Sequence, residues 1–109
     1  MRGFMSAKVL IGIQARLTNT RLPEKCRKLI SGVPMLERVI DAAKKSQHFI
    51  NSSGKDQTRV EICLLTPKGD PLADEYRYHC PVVEGPEDDV LTRYHMALTT
   101  FNPDYLVRV

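Results

Sequence analysis

"KVLIGIQARLTNTRLPEK", residues 8–25, joins an unbroken apolar run to a loop crowded with positive charge. The apolar residues of 8–14 are continuous instead of alternating. That is the pattern of a strand buried on both faces, and such strands belong to parallel sheets covered by helices. The loop then sets down Arg16, Arg21 and Lys25, with Arg27 and Lys28 beyond. Residues 16–28 thus hold five cations against one acid, Glu24. In open parallel sheets ligands bind beyond the carboxyl ends of the strands, and this loop leaves such an end. Position and charge both indicate an anionic ligand.

Outward from that strand the chain alternates. Pro34 suits the first turn of a helix, and residues 34–47 place Met35, Leu36, Val39, Ile40 and Ala43 on one stripe. The stripe is expected to end among Lys44, Lys45 and His48, cations suited to a helix C-terminus, with 51–58 a surface loop. Residues 60–66 read as the second strand. Asp70 and Pro71 form a cap and first-turn pair for a short helix bearing Leu72, Ala73 and Tyr76. Residues 80–85 give a brief third strand, limited by Pro81. Asp88 and Asp89 open a helix whose buried stripe is read as Val90, Leu91, Tyr94, Leu98 and Phe101. Asn102-Pro103-Asp104 stops it, and residues 105–109 begin a fourth strand. This alternation predicts an α/β fold, a Rossmann-like parallel sheet with helices on both faces.

The length of 109 residues suits one nucleotide-binding domain, 1–109. Hydrophobic residues at 42% and charged residues at 27% are ordinary for a soluble globular chain. No run approaches the roughly 18 apolar residues of a membrane span, and no secretory signal is expected at the start. The formal charge of +3 and one cationic loop are a small footprint for nucleic acid, with few aromatics for stacking. The cysteines, Cys26, Cys63 and Cys80, are odd in number and form no CxxC pair. They argue against a disulfide framework or zinc site and fit a cytoplasmic location, with Cys63 a small core residue.

The basic loop also reads as ordinary solvated surface. Against this, Asn19 and Thr20 add short polar donors, and Leu22-Pro23 stiffens the path from Arg21 to Lys25. Forked Arg groups and a point-charge Lys match a triphosphate. GxxxxGK[ST] and GxGxxG are both absent, so neither a P-loop nor a dinucleotide fingerprint is present.

The segment "IQARLTNTRLPEK" resembles the opening motif of the cytidylyltransferases that activate acidic sugars, [IV]-[IPQ]-A-R-x-x-S-T-R-L-P-x-K. It is closest to the spore coat polysaccharide biosynthesis branch, with the CMP-KDO and CMP-acylneuraminate synthetases as relatives. Gln14, Ala15, Arg16, Thr20, Arg21, Leu22, Pro23 and Lys25 match; Thr18, Asn19 and Glu24 depart. "GVPMLERVIDAAKK" at 32–45 is similar to the family's G-K-P-M-L-E-H-V-I segment. "EGPEDDVLTRYHMA" at 84–97 is similar to its R-G-x-E-D-D-V-L-x-R-Y motif.

The resemblance implies transfer of CMP from CTP to an acidic or modified sugar, with release of pyrophosphate, for surface polysaccharide biosynthesis. It implies Arg16 and Lys25 as catalytic groups on the triphosphate, with Thr20 and Arg21 beside it. Backbone groups at Ala15 and Arg16 would lie near the base, Gln14 would be a further nucleotide-binding residue, and Thr66 would contact the nucleotide from the second strand, where a plain strand-terminal Thr is the alternative. Asp89, Arg93 and Arg108 are possible groups on the sugar side. Their alternatives are a helix cap for Asp89, a solvent-facing helix residue for Arg93 and an edge-strand residue for Arg108. Tyr94 is read as core, and His48, His79 and His95 as surface.

In such relatives the strand matching "YLVRV" continues into an Asp-Cys-Pro turn whose Asp binds Mg²⁺. The given sequence stops at Val109, so that expected ligand lies beyond it and no metal ligand is assigned within it. Weak or absent turnover is expected of this stretch alone, and an apolar flank around Leu106 and Val107 suggests a possible homo-oligomer. The alternative is a non-catalytic nucleotide-binding or protein-interaction module.

Overall fold

Strand β1, Lys8–Gln14, lies inside a four-stranded sheet with a partner on each side. A strand without hydrophobic alternation requires this, since both of its faces need cover. The computed structural model describes residues 7–16, 29–30, 33–53 and 58–109. The other elements are β2 (Leu29–Ile30), β3 (Val33–Pro34), α1 (Met35–Ser53), β4 (Arg59–Pro67), α2 (Pro71–Tyr76), β5 (Val82–Gly85), α3 (Val90–Phe101) and β6 (Tyr105–Arg108). The main sheet has the order β5-β4-β1-β6, and all its pairs are parallel. The chain therefore builds outward from β1 through β4 to β5, then crosses back to β6 on β1's other flank. That reversal opens a crevice at the carboxyl end of β1. The fold is the Rossmann-like α/β sheet read from the sequence.

Side chains alternate between two cores. Ile13, Ala15, Ile62 and Leu64 pack with Leu36, Ile40 and Ala43 of α1 and with Leu72 and Tyr76 of α2. Leu10, Cys63 and Leu65 pack on the opposite face with Tyr94 and Ala97 of α3. Gly12 permits that second layer. A Cβ there would lie 3.0 Å from Tyr94 Cε1 and 3.2 Å from Leu65 Cδ1, so the missing side chain lets the ring rest on β1.

Several expectations need correction. Pro34 belongs to β3, which pairs antiparallel with β2 in a small ribbon not foreseen within the polar loop; α1 begins at Met35. Helix α1 does not stop among Lys44, Lys45 and His48 but runs to Ser53, with no basic residue in its last turn. Hydrogen bonds to β4 hold the extra turns. Asn51 Oδ1 accepts from Val60 N at 2.8 Å, while Gln47 Nε2 and Asn51 Nδ2 donate to Val60 O. Residues 51–53 are thus helical, and 54–57 of the expected loop lie outside the described residues.

The buried face of α3 keeps Val90, Tyr94 and Phe101 of the expected stripe but not Leu91 and Leu98. Arg93, Tyr94 and Ala97 are buried, whereas Leu91 is 76% exposed and Leu98 is at the rim. The small Ala97 lets the helix approach the sheet closely, and the hydrocarbon stem of Arg93 takes an inside position. Among the described residues no helix is long and apolar enough to cross a membrane.

Candidate functional site

At the carboxyl edge, β1 and β4 stay together beyond their last paired residues. Ala15 N donates to Leu65 O at 3.1 Å, and Val109 N donates to Gly12 O at 3.0 Å on the other flank. Arg16 therefore leaves the sheet from the crevice between β4 and β6. Its side chain is half-buried. By strand alternation Gln14, half-buried, shares the α3 face with Gly12, whereas Ala15, buried, turns to the α1 side.

Thr66 ends the apolar stretch of β4 and is completely buried, yet its Oγ1 has no hydrogen-bond partner among the described residues. Alternation from Ile62 and Leu64 puts it on the α1 and α2 side. A strand-terminal Thr used only for packing would be expected to bond its hydroxyl, since leaving a buried polar group unpaired is costly. Thr66 thus sits at the carboxyl end of β4 with a buried hydroxyl that has no partner among the described residues.

Arg93 is the residue the sequence reading placed least well. It does not face solvent as its alternative supposed: it is 0% exposed. Its stem crosses Gly85 at the end of β5, where a Cβ would come within 2.7 Å of Arg93 Cγ and 3.1 Å of Met96 Sδ. Side chains on a helix lean toward its N-terminus, and the α3 N-terminus follows Gly85 at the carboxyl edge. The guanidinium is therefore carried toward that edge, on the face opposite Thr66. Nε and both terminal nitrogens lack hydrogen-bond partners among the described residues.

Asp89 is the cap of α3. Its Oδ1 accepts from Thr92 N at 2.9 Å and its Oδ2 from Thr92 Oγ1. These bonds, with a smaller contribution from the Arg93 charge, hold its carboxyl below the usual range. Capping is what the structure assigns to Asp89; Asp88 beside it is exposed. Glu84, at the β5 end, accepts from Gly69 N at 3.2 Å and from Arg77 at 3.1 Å, and these contacts lower its proton affinity in that order. Arg108 lies on the edge strand, exposed, with its guanidinium 4.9 Å above the Tyr94 ring. Tyr94 is buried in the core. A cavity of about 420 Å³ lined by Leu91, Tyr94, His95, Leu98, Leu106 and Arg108 runs between α3 and β6.

Thr20, Arg21 and Lys25 lie outside the described residues. Of the expected site, Gln14, Ala15, Arg16 and Thr66 lie at the carboxyl ends of the adjacent strands β1 and β4, Arg93 packs over Gly85 at the end of β5, and Arg108 lies on β6. Among the described residues no group of three or more His, Cys, Asp or Glu side chains could hold a metal. The donors there do not fit a protein-held Mg²⁺. Cys63 and Cys80 are buried and free, and burial foremost pushes the Cys63 thiol up to about 12, with Cys80 and Glu61 adding to it. Neither thiol is suited to nucleophilic work at neutral pH. His48 and His95 are exposed, and His79 stacks at a tilt on Tyr76.

Residues 10–109 match the model of the family described as cytidylyltransferase. The chain is also similar in structure to a CMP:2-keto-3-deoxy-manno-octonic acid synthetase solved in complex with CTP. The TM-score is 0.67 and the identity 21%, over 94% of this chain and 40% of that one. At that identity the likeness establishes the fold, and this chain spans 40% of the neighbour's length. No curated protein matches it in sequence.

Proposed function

The chain belongs to the cytidylyltransferase family, and on that premise we propose that it is the nucleotide-binding part of an enzyme transferring CMP from CTP to an acidic or modified sugar. In that reaction an acceptor oxygen forms a bond to the α-phosphorus, and the bond from that phosphorus to the leaving pyrophosphate breaks. Catalysis of this kind depends mainly on positioning and on neutralising phosphate charge.

One observation carries the reading. The hydrogen bond from Ala15 N to Leu65 O fixes the chain where Arg16 departs, immediately before the buried, unpartnered hydroxyl of Thr66. Arg16 thus leaves the sheet near the end of β4, where a buried hydroxyl has no partner among the described residues, and this supports a ligand site at that edge. Arg16 would sit on the triphosphate, and Thr66 would give or accept a hydrogen bond to the nucleotide. Lys25, Arg21 and Thr20 would complete the phosphate clamp by their place in the motif. Mg²⁺ supplies charge neutralisation in such transfers. Here it would travel on the phosphates of CTP and water, since it usually takes only one or two protein carboxylates.

Acceptor choice and service in surface polysaccharide synthesis are part of the same proposal. A non-catalytic nucleotide-binding or interaction module is the second reading. Isothermal titration with CTP, ATP and GTP, each with and without Mg²⁺, tests both. Selective CTP binding that is lost in Arg16→Ala supports the first reading's nucleotide site, and release of pyrophosphate in the presence of an acceptor separates turnover from binding. A folded chain indifferent to all three nucleotides would overturn the nucleotide-binding proposal.

A further inference from the structure

The buried side-chain nitrogens and oxygens without partners among the described residues belong to two residues, Thr66 and Arg93. Both residues stand at the carboxyl edge. Thr66 finds a use in the nucleotide site proposed above. Arg93 asks more. Its guanidinium is always charged and carries five N–H donors in a planar fork. It is wholly buried, and its Nε and terminal nitrogens are unmatched. The nearest named acid on its own helix, Asp89, spends its oxygens on Thr92. Glu84, one residue before the glycine that Arg93 crosses, is held by Gly69 and Arg77. Asp89 feels the Arg93 charge only as a minor contribution. A buried charge with no hydrogen-bonded partner is strongly unfavourable, so a fold that keeps one here is arranged for a counter-charge that arrives from outside.

We propose that Arg93 is the receptor for an oxyanion, a carboxylate or phosphate group, of the ligand bound at the carboxyl edge of the sheet. Three features shape it. Gly85 leaves the gap through which the stem passes, since a Cβ there would lie 2.7 Å from Arg93 Cγ, closer than carbon atoms pack. The first turn of α3 aims the head at the crevice. The Asp89 cap anchors that turn, so the fork keeps its direction. Because the head is covered, the oxyanion reaches it as the side chains over the first turn of α3 part, and the ion pair forms in a dry setting where charge-assisted bonds are strong. This rests on the nucleotide-site reading and adds to it a second anionic contact, on the sheet face opposite Thr66.

The test uses the chain with two probes, inorganic pyrophosphate and 2-keto-3-deoxy-manno-octonate, read by thermal unfolding and by the Arg93 Nε–H resonance. In wild type at least one probe raises the unfolding midpoint and shifts that resonance; which one does so identifies the source, phosphate or sugar acid. Arg93→Met keeps the stem and removes the charge. It is expected to unfold at a higher temperature than wild type without ligand, and to bind the responding probe roughly 10- to 100-fold more weakly. Arg93→Lys is expected to recover part of that binding. A lower ligand-free midpoint for Arg93→Met would make Arg93 a structural residue and overturn the proposal, as would an Arg93 resonance unmoved by saturating amounts of both probes. If CTP binds wild type and Arg93→Met equally and neither probe depends on Arg93, this inference falls while the nucleotide site stands. If CTP fails to bind but a probe still acts through Arg93, the nucleotide reading falls and the receptor stands.

Discussion

The two ends of the sheet are built on opposite terms. At the amino end polar groups are paired. Lys8 N donates to Asp104, Lys8 Nζ meets Glu61 at 3.0 Å, and Asn51 accepts from the backbone of Val60 while Arg59 reaches back to Asn51 O. At the carboxyl end the same sheet leaves Thr66 and Arg93 buried without partners. Asp89 and Glu84 are paired at the carboxyl end too, so the contrast lies in Thr66 and Arg93, which no described group at that end satisfies. A structural end gains nothing from an unmatched donor, whereas a ligand-binding end keeps its donors for the ligand.

The largest effect is expected from breaking the closed end. Asn51→Leu strips Val60 N–H of its partner, while Val60 O keeps Gln47. Urea unfolding should show a loss of about 2 kcal/mol, the range for an orphaned buried donor. A neutral result would mean that the amino end does not depend on this pairing.

Next comes Gly85→Ala. The new methyl meets Arg93 Cγ at 2.7 Å and Met96 Sδ at 3.1 Å, a crowding worth roughly 1–2 kcal/mol. Combined with Arg93→Met, whose straight stem can shift, the two changes should not add. Strict additivity would show that Arg93 is not what fills the space over Gly85.

Thr66→Val removes the unpaired hydroxyl at nearly constant volume. Stability should rise, by up to about 1 kcal/mol, because an unpaired buried hydroxyl is exchanged for an apolar group and no hydrogen bond is lost. CTP affinity should nevertheless fall. A clear loss of stability would place Thr66 with the closed end.

The smallest change belongs to Glu84→Gln, at an exposed contact. Bonds from Gly69 N and Arg77 lower the carboxyl's folded value below its unfolded one. Its contribution is therefore present above the unfolded value and is lost as pH falls through the lowered one. The variant should flatten the acid limb of the stability profile there and leave neutral-pH stability almost unaltered, as solvent screening requires.

Much of this was open to the sequence. The continuous run of 8–14 fixed β1 as interior, and Asp70 with Pro71 capped α2 as read, Asp70 Oδ1 accepting from Leu72 N. What escaped depended on distant partners. The extra turns of α1 are held by Asn51 and Gln47 on Val60, a contact invisible to local periodicity. The face of α3 was misread because Leu91 and Leu98 outrank Ala97 and Arg93 in hydrophobicity, while close packing on the sheet favours the small residue and the long stem. The motif, which falls at the carboxyl end of β1, was legible at Gln14, Ala15 and Arg16. The burial of Arg93 was not, since nothing local in "DVLTRYH" marks an inside arginine; only the glycine at 85, opposite it in space, carried the signal.

Backbone amide mapping of a CTP titration bears most directly on the contrast between the ends. Expected are saturable shifts at Ala15, Arg16 and Thr66, with Lys8, Arg59, Val60 and Tyr105 unmoved. Shifts centred on the amino end, or none at the carboxyl end at saturating CTP, would contradict it.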